Sequence, residues 1–322
     1  MTRQARTLSS WIEQLPWLDT IAEPVQRAAN ALFGANRVTQ QVKDLFNGTP
    51  MRHRIHPALI AVPIGAWTTG LLLDLLEARS ERPQEWARSA DAAVVLGLVG
   101  ALPSVATGLA DWTDTYDHQR RVGIAHALSN SIALTFYATS FGLRLTGRRG
   151  AARVCGALGF GAVTLGGALG GELVYTLGVN VPHTIYPKPP TDFVAVLASA
   201  DLPQGKPVVA EAGRVPILLV RDGDTILAVQ NWCTHAGGPL DEGNVADGVA
   251  ECPWHGSRFC LRDGRPLQGP ASMPLRTFDV HEAGGHIFVR PNDDARSWPP
   301  PPAEAGPAYQ PATGASSAPT NA

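Results

Sequence analysis

The sequence predicts a multidomain protein: an all-α bundle of four transmembrane helices followed by a small all-β domain. Three observations lead there. Residues 57–178 are strongly apolar and rich in Gly and Ala. Residues 190–291 alternate apolar and polar positions between turn signals. From Asn292 onward the chain is mostly Pro, Ala, Ser and Gly. A mean hydropathy near zero averages these unlike parts. The 322 residues leave room for two or three domains, and a net charge of −2 argues against a nucleic-acid partner. The expected division is 1–50, an amphipathic or linking segment; 51–180, the membrane bundle; 181–191, a Pro-rich linker; 192–291, the β domain; and 292–322, a tail too poor in large apolar residues to bury a core and so expected to be disordered.

Residues 1–50 are too polar for a signal peptide, with Arg3, Arg6 and Glu13 and no clean apolar run. Trp11, Leu15 and Leu18 could share one apolar face, lying on the membrane surface or against the bundle. Pro16 interrupts that face.

The four spans are read at 57–76, 91–110, 123–143 and 153–177, each near the ~20 residues that cross a hydrocarbon core. Pro57 suits a first helical turn, and Pro103 predicts a kink in the second span. Gly100, Ser104 and Gly108 recur every four residues, as do Gly166/Gly170 and Gly167/Gly171. Small residues at that spacing let helices approach closely in lipid. Four spans put both termini on one side, together with His53, His56, His118, His126 and His183; loops 77–90 and 144–152 carry no histidine. Arginines are spread over both sides, so positive charge does not fix the orientation.

His56 opens the first span and His126 the third, and odd-numbered spans run parallel, so both rings lie at similar depth. Asn130 is one turn beyond His126, and Glu172 approaches from the fourth span. An ionisable group inside a span is by default a functional candidate. The sharp reading is a bis-histidine haem b site or a quinone pocket. The plainer one is a pair of interfacial histidines bonded to their neighbours.

In the β domain, Asp222-Gly223 between two β-rich runs predicts a hairpin. Further on stand "CTHAGGPL", residues 233–240, and "CPWHGSRF", residues 252–259. Each brings one Cys and one His, as Cys-x-His and then Cys-x-x-His. A zinc site is the alternative, although a Cys-x-His arm is tighter than the usual zinc-finger arm. Cys155 and Cys260 read as packing residues.

With the later "GPA" at 269–271, these stretches resemble the Rieske iron–sulfur family over about 192–291. The resemblance implies a [2Fe–2S] cluster with Cys233 and Cys252 on the inner iron and His235 and His255 on the outer one. Gly256 and Ser257 then stand beside the cluster sulfurs, Ser257 at a position where the family has a hydroxyl donor; Phe259 stands where high-potential members have a tyrosine. Rieske proteins of quinol-oxidising complexes carry a disulfide between the cluster loops, and Gly238 and Trp254 occupy those positions here. The domain is therefore more similar to the ferredoxin-type branch, which works in a reducing cytoplasm. The stretches "FNGTPMRHRIHPALIAVPIGAW", "RVGIAHALSN" and "GGELVYTLGVNV" resemble the four-helix membrane family DUF2231 over about 45–182. In that family the first stretch reads closer to "GHPLHP", of which His53 and His56 remain, and a histidine often stands where Glu172 is.

The expected function is membrane-anchored electron transfer, with membrane lipid and a redox partner protein or the quinone pool as partners. The expected location is the inner membrane, with the Rieske domain in the cytoplasm. A redox-sensing membrane protein is the alternative from another class. A Rieske oxygenase would need a second iron site of two histidines and a carboxylate; after His255 only His281 and His286 remain.

Overall fold

The computed structural model describes residues 7–181 and 188–292. His183, most of the expected linker and nearly all of the tail lie outside the described residues.

Where an amphipathic or linking segment was expected, three helices form: α1 (Leu8–Ile12), α2 (Asp19–Phe33) and α3 (Arg37–Asn47). Asn36 starts α3 with a capping box closed by Thr39. These helices wrap one end of the bundle. Leu18 is buried there, whereas Trp11 and Leu15 point outward. The bundle follows. The short α4 (His56–Leu59) runs into α5 (Ala61–Arg79), then come α6 (Pro83–Trp112), α7 (Asp117–Leu145) and α8 (Arg149–Tyr175). Helix α6 continues through Pro103.

Three of the long helices, His56–Arg79, Pro83–Trp112 and Arg149–Tyr175, are apolar and long enough to cross a membrane. Helix α7 has the length but a more polar middle, and its polar groups are satisfied locally. Ser131, Thr135 and Thr139 return their hydroxyls to carbonyls one turn back at 2.8 Å. Ser129 and Ser140 donate instead to Ala162 and Ala152 carbonyls of α8. Hydroxyls bonded in this way add little polarity to a helix surface in lipid.

Small residues set the packing. A Cβ on Gly97 would strike the Trp67 indole at 2.1 Å, and one on Gly159 would press on Tyr137 at 3.0 Å. Those two aromatic rings stack with centroids 4.1 Å apart. Of the two glycine pairs in α8, Gly166/Gly170 packs against α7, while Gly167 and Gly171 face open space. At the end far from α1–α3, buried Arg144 pairs with Asp74 and Asp91, and Arg149 with Glu77 and Asp91. This network ties all four long helices together.

The β domain holds ten strands, β1 (Val194–Ala198), β2 (Pro207–Ala212), β3 (Val215–Asp222), β4 (Thr225–Gln230), β5 (Asn244–Ala246), β6 (Val249–Glu251), β7 (Arg258–Cys260), β8 (Pro266–Gln268), β9 (Phe278–Ala283) and β10 (His286–Pro291), in three antiparallel sheets ordered β1-β10-β9, β2-β3-β4 and β5-β6-β7-β8. The expected hairpin joins β3 (Val215–Asp222) to β4 (Thr225–Gln230), with Asp222 opposite Thr225. Strands β6 (Val249–Glu251) and β7 (Arg258–Cys260) flank the second Cys/His loop; the first follows β4.

Candidate metal centre

Both Cys/His loops are the same turn. The Cys233 N–H donates to the Gly238 carbonyl at 2.8 Å, and the Gly237 N–H returns to the Cys233 carbonyl at 2.9 Å. In the second loop the Cys252 N–H donates to Ser257 at 2.8 Å, and the Gly256 N–H returns to Cys252 at 3.0 Å. Gly237 and Gly256, at the fifth position of each turn, have φ of 80° and 70°, a left-handed conformation that favours glycine. The turns aim backbone N–H groups at sulfur: that of His235 at Cys233, and those of Trp254 and His255 at Cys252. The Ser257 hydroxyl is a further partner of Cys233.

The four side chains gather as two like pairs. The thiols of Cys233 and Cys252 lie side by side; their interaction, helped by the Trp254 and His255 N–H groups, holds Cys252 down to about 7. The same interaction, with burial, pushes Cys233 well up. The His235 and His255 rings stand 4.6 Å apart, 86° to each other. Burial pushes both imidazoles below their ordinary range; at His235 the nearby Arg54 adds to this, and at His255 Asp114 opposes it. Neutral imidazoles are the form that binds metal. His235 Nδ1 and His255 Nε2 are buried without a hydrogen-bond partner. Among the described residues no three His, Cys, Asp or Glu side chains form a single-ion site. Two thiols on one side and two imidazoles, each with one unpartnered nitrogen, on the other suit two metal ions better than one.

A Cβ on Gly238 would lie 2.8 Å from Cys252 Sγ and 3.0 Å from the Trp254 ring. The positions that carry a disulfide elsewhere in the resemblance are thus adjacent here, and the indole fills the space. A third turn of the same kind went unseen in the sequence. The Cys260 N–H donates to Arg265 at 3.0 Å, the Gly264 N–H returns to Cys260 at 2.9 Å, and Gly264 has φ 72°. Arg262 and Asp263 stand where the other turns carry histidine.

The histidine side opens on a cleft of about 700 Å³ whose far wall is the membrane half, including Asp111, Asp114, Tyr116, Gln119 and Asn180. The Tyr116 ring lies 5.1 Å from the His255 ring, and its hydroxyl donates to the Trp254 carbonyl at 3.3 Å. Burial raises the Tyr116 phenol, with Asp114 and Cys252 adding to the effect. Two buried ion pairs back this wall, Lys43–Asp114 at 2.7 Å and Arg54–Asp111 at 2.9 Å.

His56 and His126 lie deeper. His56 Nδ1 is 3.1 Å from Thr107 Oγ1, and a Cβ on Gly108 would touch its ring at 2.8 Å. His126 Nδ1 bonds the Gly166 carbonyl at 2.7 Å, with Gly170 against its ring and the Asn130 amide 3.2 Å from Nε2. Both rings are seated in notches that glycine leaves on a neighbouring helix, and neither lines the cleft. Glu172 is engaged elsewhere: its carboxylate accepts the first N–H groups of α1, from Leu8 and Ser9.

Fold and site together define an electron-transfer protein of the iron–sulfur class, attached to a membrane-type bundle. The chain belongs to the Rieske family: residues 192–279 match the Rieske [2Fe-2S] domain, and residues 52–183 match the predicted membrane protein family DUF2231. The Rieske part is 39% identical over 94 residues to the ferredoxin component of biphenyl 2,3-dioxygenase from Rhodococcus jostii (strain RHA1), covering 29% of this chain and 88% of the relative. It is 37% identical over 91 residues to the 3-phenylpropionate/cinnamic acid dioxygenase ferredoxin subunit of Escherichia coli (strain K12), covering 28% and 85%. A solved structure, the ferredoxin of carbazole 1,9a-dioxygenase from Nocardioides aromaticivorans IC177, is 35% identical, covers 32% of this chain and 100% of that one, and superposes with a TM-score of 0.30.

Proposed function

We propose that this chain is a membrane-anchored Rieske electron-transfer protein in which Cys233, His235, Cys252 and His255 hold one [2Fe–2S] cluster. Cys233 and Cys252 would bind one iron, His235 and His255 the other. When bound, the cluster supplies one-electron transfer. The residues around it do the rest. The N–H groups of His235, Trp254 and His255, with the Ser257 hydroxyl, offset negative charge on the sulfurs. The Leu240, Phe259 and Leu275 side chains pack around the cysteines and keep water from that side.

The observation that carries this reading is the pairing of two thiols against two imidazoles, each with one unpartnered buried nitrogen, on matching turns. Zinc would be held by four side chains around one point, and that convergence is not found among the described residues. The test is to purify the full chain in detergent and assay iron, acid-labile sulfide and zinc, then record the electron paramagnetic resonance (EPR) spectrum after dithionite. A 2:2 iron-to-sulfide content with a rhombic signal is expected; stoichiometric zinc without sulfide refutes the reading.

The relatives are named as ferredoxin components of dioxygenases, which motivates a redox protein as partner. In this chain the histidine side faces the cleft, so electrons would enter or leave there, beside Tyr116 and the Asp111–Asp114 segment. The finer reading places the protein in the inner membrane with α7 as a fourth span and the Rieske domain on the cytoplasmic side, where clusters are assembled. A haem b or quinone held by His56 and His126 is the finer reading of the bundle. Their glycine-notch packing supports a role in helix contact instead. A reduced-minus-oxidised absorption spectrum of the purified chain decides for haem. For quinone, the rate at which a soluble quinol reduces the cluster in His56→Ala and His126→Ala decides.

A further inference from the structure

The loop beside the cysteines is held from outside its own domain. Gly269, Pro270 and Ala271 lie on the last turn of α3 and the residues after it. The Gly269 N–H donates to Asp44 Oδ1 at 2.9 Å, and Thr49 Oγ1 donates to the Ala271 carbonyl at 3.1 Å. The same peptide segment continues inward. The Ala271 N–H donates to Ser257 Oγ at 3.0 Å, and the Ser257 hydroxyl stands beside Cys233 Sγ. A hydrogen-bonded chain therefore runs from Thr49 of the membrane half through Ala271 to Ser257, whose hydroxyl stands beside a candidate cluster sulfur. Thr49, Ala271 and Ser257 are all buried.

The seat is built for close approach. A Cβ on Gly269 would lie 2.7 Å from Thr49 Oγ1 and 2.9 Å from Asp44 Oδ1, so a side chain there would force the two halves apart. The seat is also rigid. Asp44 is held by the Gln40 amide at 2.9 Å, and the neighbouring Lys43 is paired with Asp114 of the α6–α7 loop at 2.7 Å. Gly48, with φ 76°, ends α3 and closes a turn in which the His53 N–H donates back to it at 3.2 Å; a Cβ there would strike the His53 carbonyl. The position of Thr49 is thus fixed by α3, by the turn and by the α6–α7 loop. A surface contact made only to tether a domain would not need to continue, bond by bond, to the residue beside a candidate metal-ligating atom.

We propose that Asp44 and Thr49 are positioning residues of the redox centre: the membrane half holds the 269–271 loop in the one orientation that keeps the Ser257 hydroxyl on Cys233. This rests on the reading of Cys233 as a cluster ligand. Its consequence is that the membrane half is a working part of the centre, and that the Rieske domain acts from a fixed seat. Freed from the seat, the loop lets Ser257 turn away, Cys233 loses a donor, and the reduced, more negative state loses stabilisation.

The test uses the full chain in detergent. Thr49→Val keeps the shape and removes the hydroxyl, Thr49→Ser restores it, and Asp44→Ala removes the second contact. Each is assayed for iron and sulfide, midpoint potential, EPR g values and amide exchange over residues 264–275. With the cluster retained, Thr49→Val and Asp44→Ala should lower the midpoint, move the g values and speed exchange of that peptide, while Thr49→Ser stays at the wild-type values. Wild-type midpoint, g values and exchange in Thr49→Val overturn the proposal, as does a Thr49→Ser variant shifted as far as Thr49→Val. If Thr49→Val assembles no cluster, Asp44→Ala and Thr49→Ser decide by the same rule. A wild-type chain without iron and sulfide overturns the cluster reading itself, and is recognised before any variant is made.

Discussion

Replacing Ser257 with alanine tests the electrostatics of the centre most directly. Ser257 is fully buried; its oxygen accepts the Ala271 N–H at 3.0 Å and its hydroxyl reaches Cys233 Sγ. A hydrogen bond to a charged group contributes about 1.5–3 kcal/mol, and charge-assisted bonds are roughly twice as strong as neutral ones. Adding one electron to the cluster strengthens this bond by part of that difference, about 1 kcal/mol on the same scale. For a one-electron couple a tenfold change in equilibrium, about 1.4 kcal/mol, is 59 mV, so the midpoint should fall by about 40 mV and by no more than ~65 mV for 1.5 kcal/mol. The substitution also strips the Ala271 N–H of its acceptor, a local cost of about 1–3 kcal/mol that loosens the loop. The assay is a redox titration followed by EPR, with iron content measured on the same sample. A midpoint that stays put or rises while the cluster is fully retained refutes the reasoning, because the hydroxyl would then not be stabilising the reduced state.

The wild-type midpoint is expected below the high end of the Rieske range of about −150 to +300 mV, because Phe259, fully buried against the cysteines, offers no hydroxyl; a potentiometric midpoint near the top of that range contradicts this. Gly238→Ala should give a folded membrane protein with less than stoichiometric iron, since its Cβ would sit 2.8 Å from Cys252 Sγ; full iron content in the purified variant would show that the loops can give way. Arg144→Met should cost about 3–5 kcal/mol by stranding buried Asp74 in the bundle, Asp91 keeping Arg149, read as a lower thermal midpoint in detergent that Asp74→Leu partly restores. A periplasm-only reporter fused to the C-terminus should stay inactive if the Rieske domain faces the cytoplasm; strong activity reverses the orientation.

What the sequence made legible follows from the range of the interactions involved. The paired Cys/His loops are local: each is six residues closed by its own backbone, so Cys-x-His and Cys-x-x-His could be read directly, as could the two-residue hairpin at Asp222-Gly223. The apolar helices were legible for the same reason, because crossing lipid constrains a continuous run of residues. Helix α7 was harder, since Ser131, Thr135 and Thr139 look polar in composition and become harmless only once their hydroxyls turn back to the preceding turn. Glu172 read as a site candidate because a carboxylate near a span end is conspicuous. Its partners, the first N–H groups of α1, lie more than 160 residues away and leave no local trace.

The third turn shows how far such local reading reaches. Cys260 has the backbone bonds and the left-handed glycine of the two candidate ligand turns, and a thiol in the same place. Among the described residues it still gathers no second ligand, because Arg262 and Asp263 replace histidine and no facing turn completes a pair. The turn supplies a pocket of N–H groups for a sulfur; pairing across two loops makes a ligand set. The same division applies one level up. The Rieske domain carries its own candidate ligands, yet Gly269 and Ala271 complete their bonding on Asp44 and Thr49, in a segment that composition alone marks as a linker. Residues 37–54 thus do three things at once. They cap the bundle through Lys43 and Arg54, wall the histidine cleft through the acids those two residues hold, and seat the loop behind Ser257. Contacts of that kind depend on which surfaces the two halves bring together, and no spacing within either half encodes them.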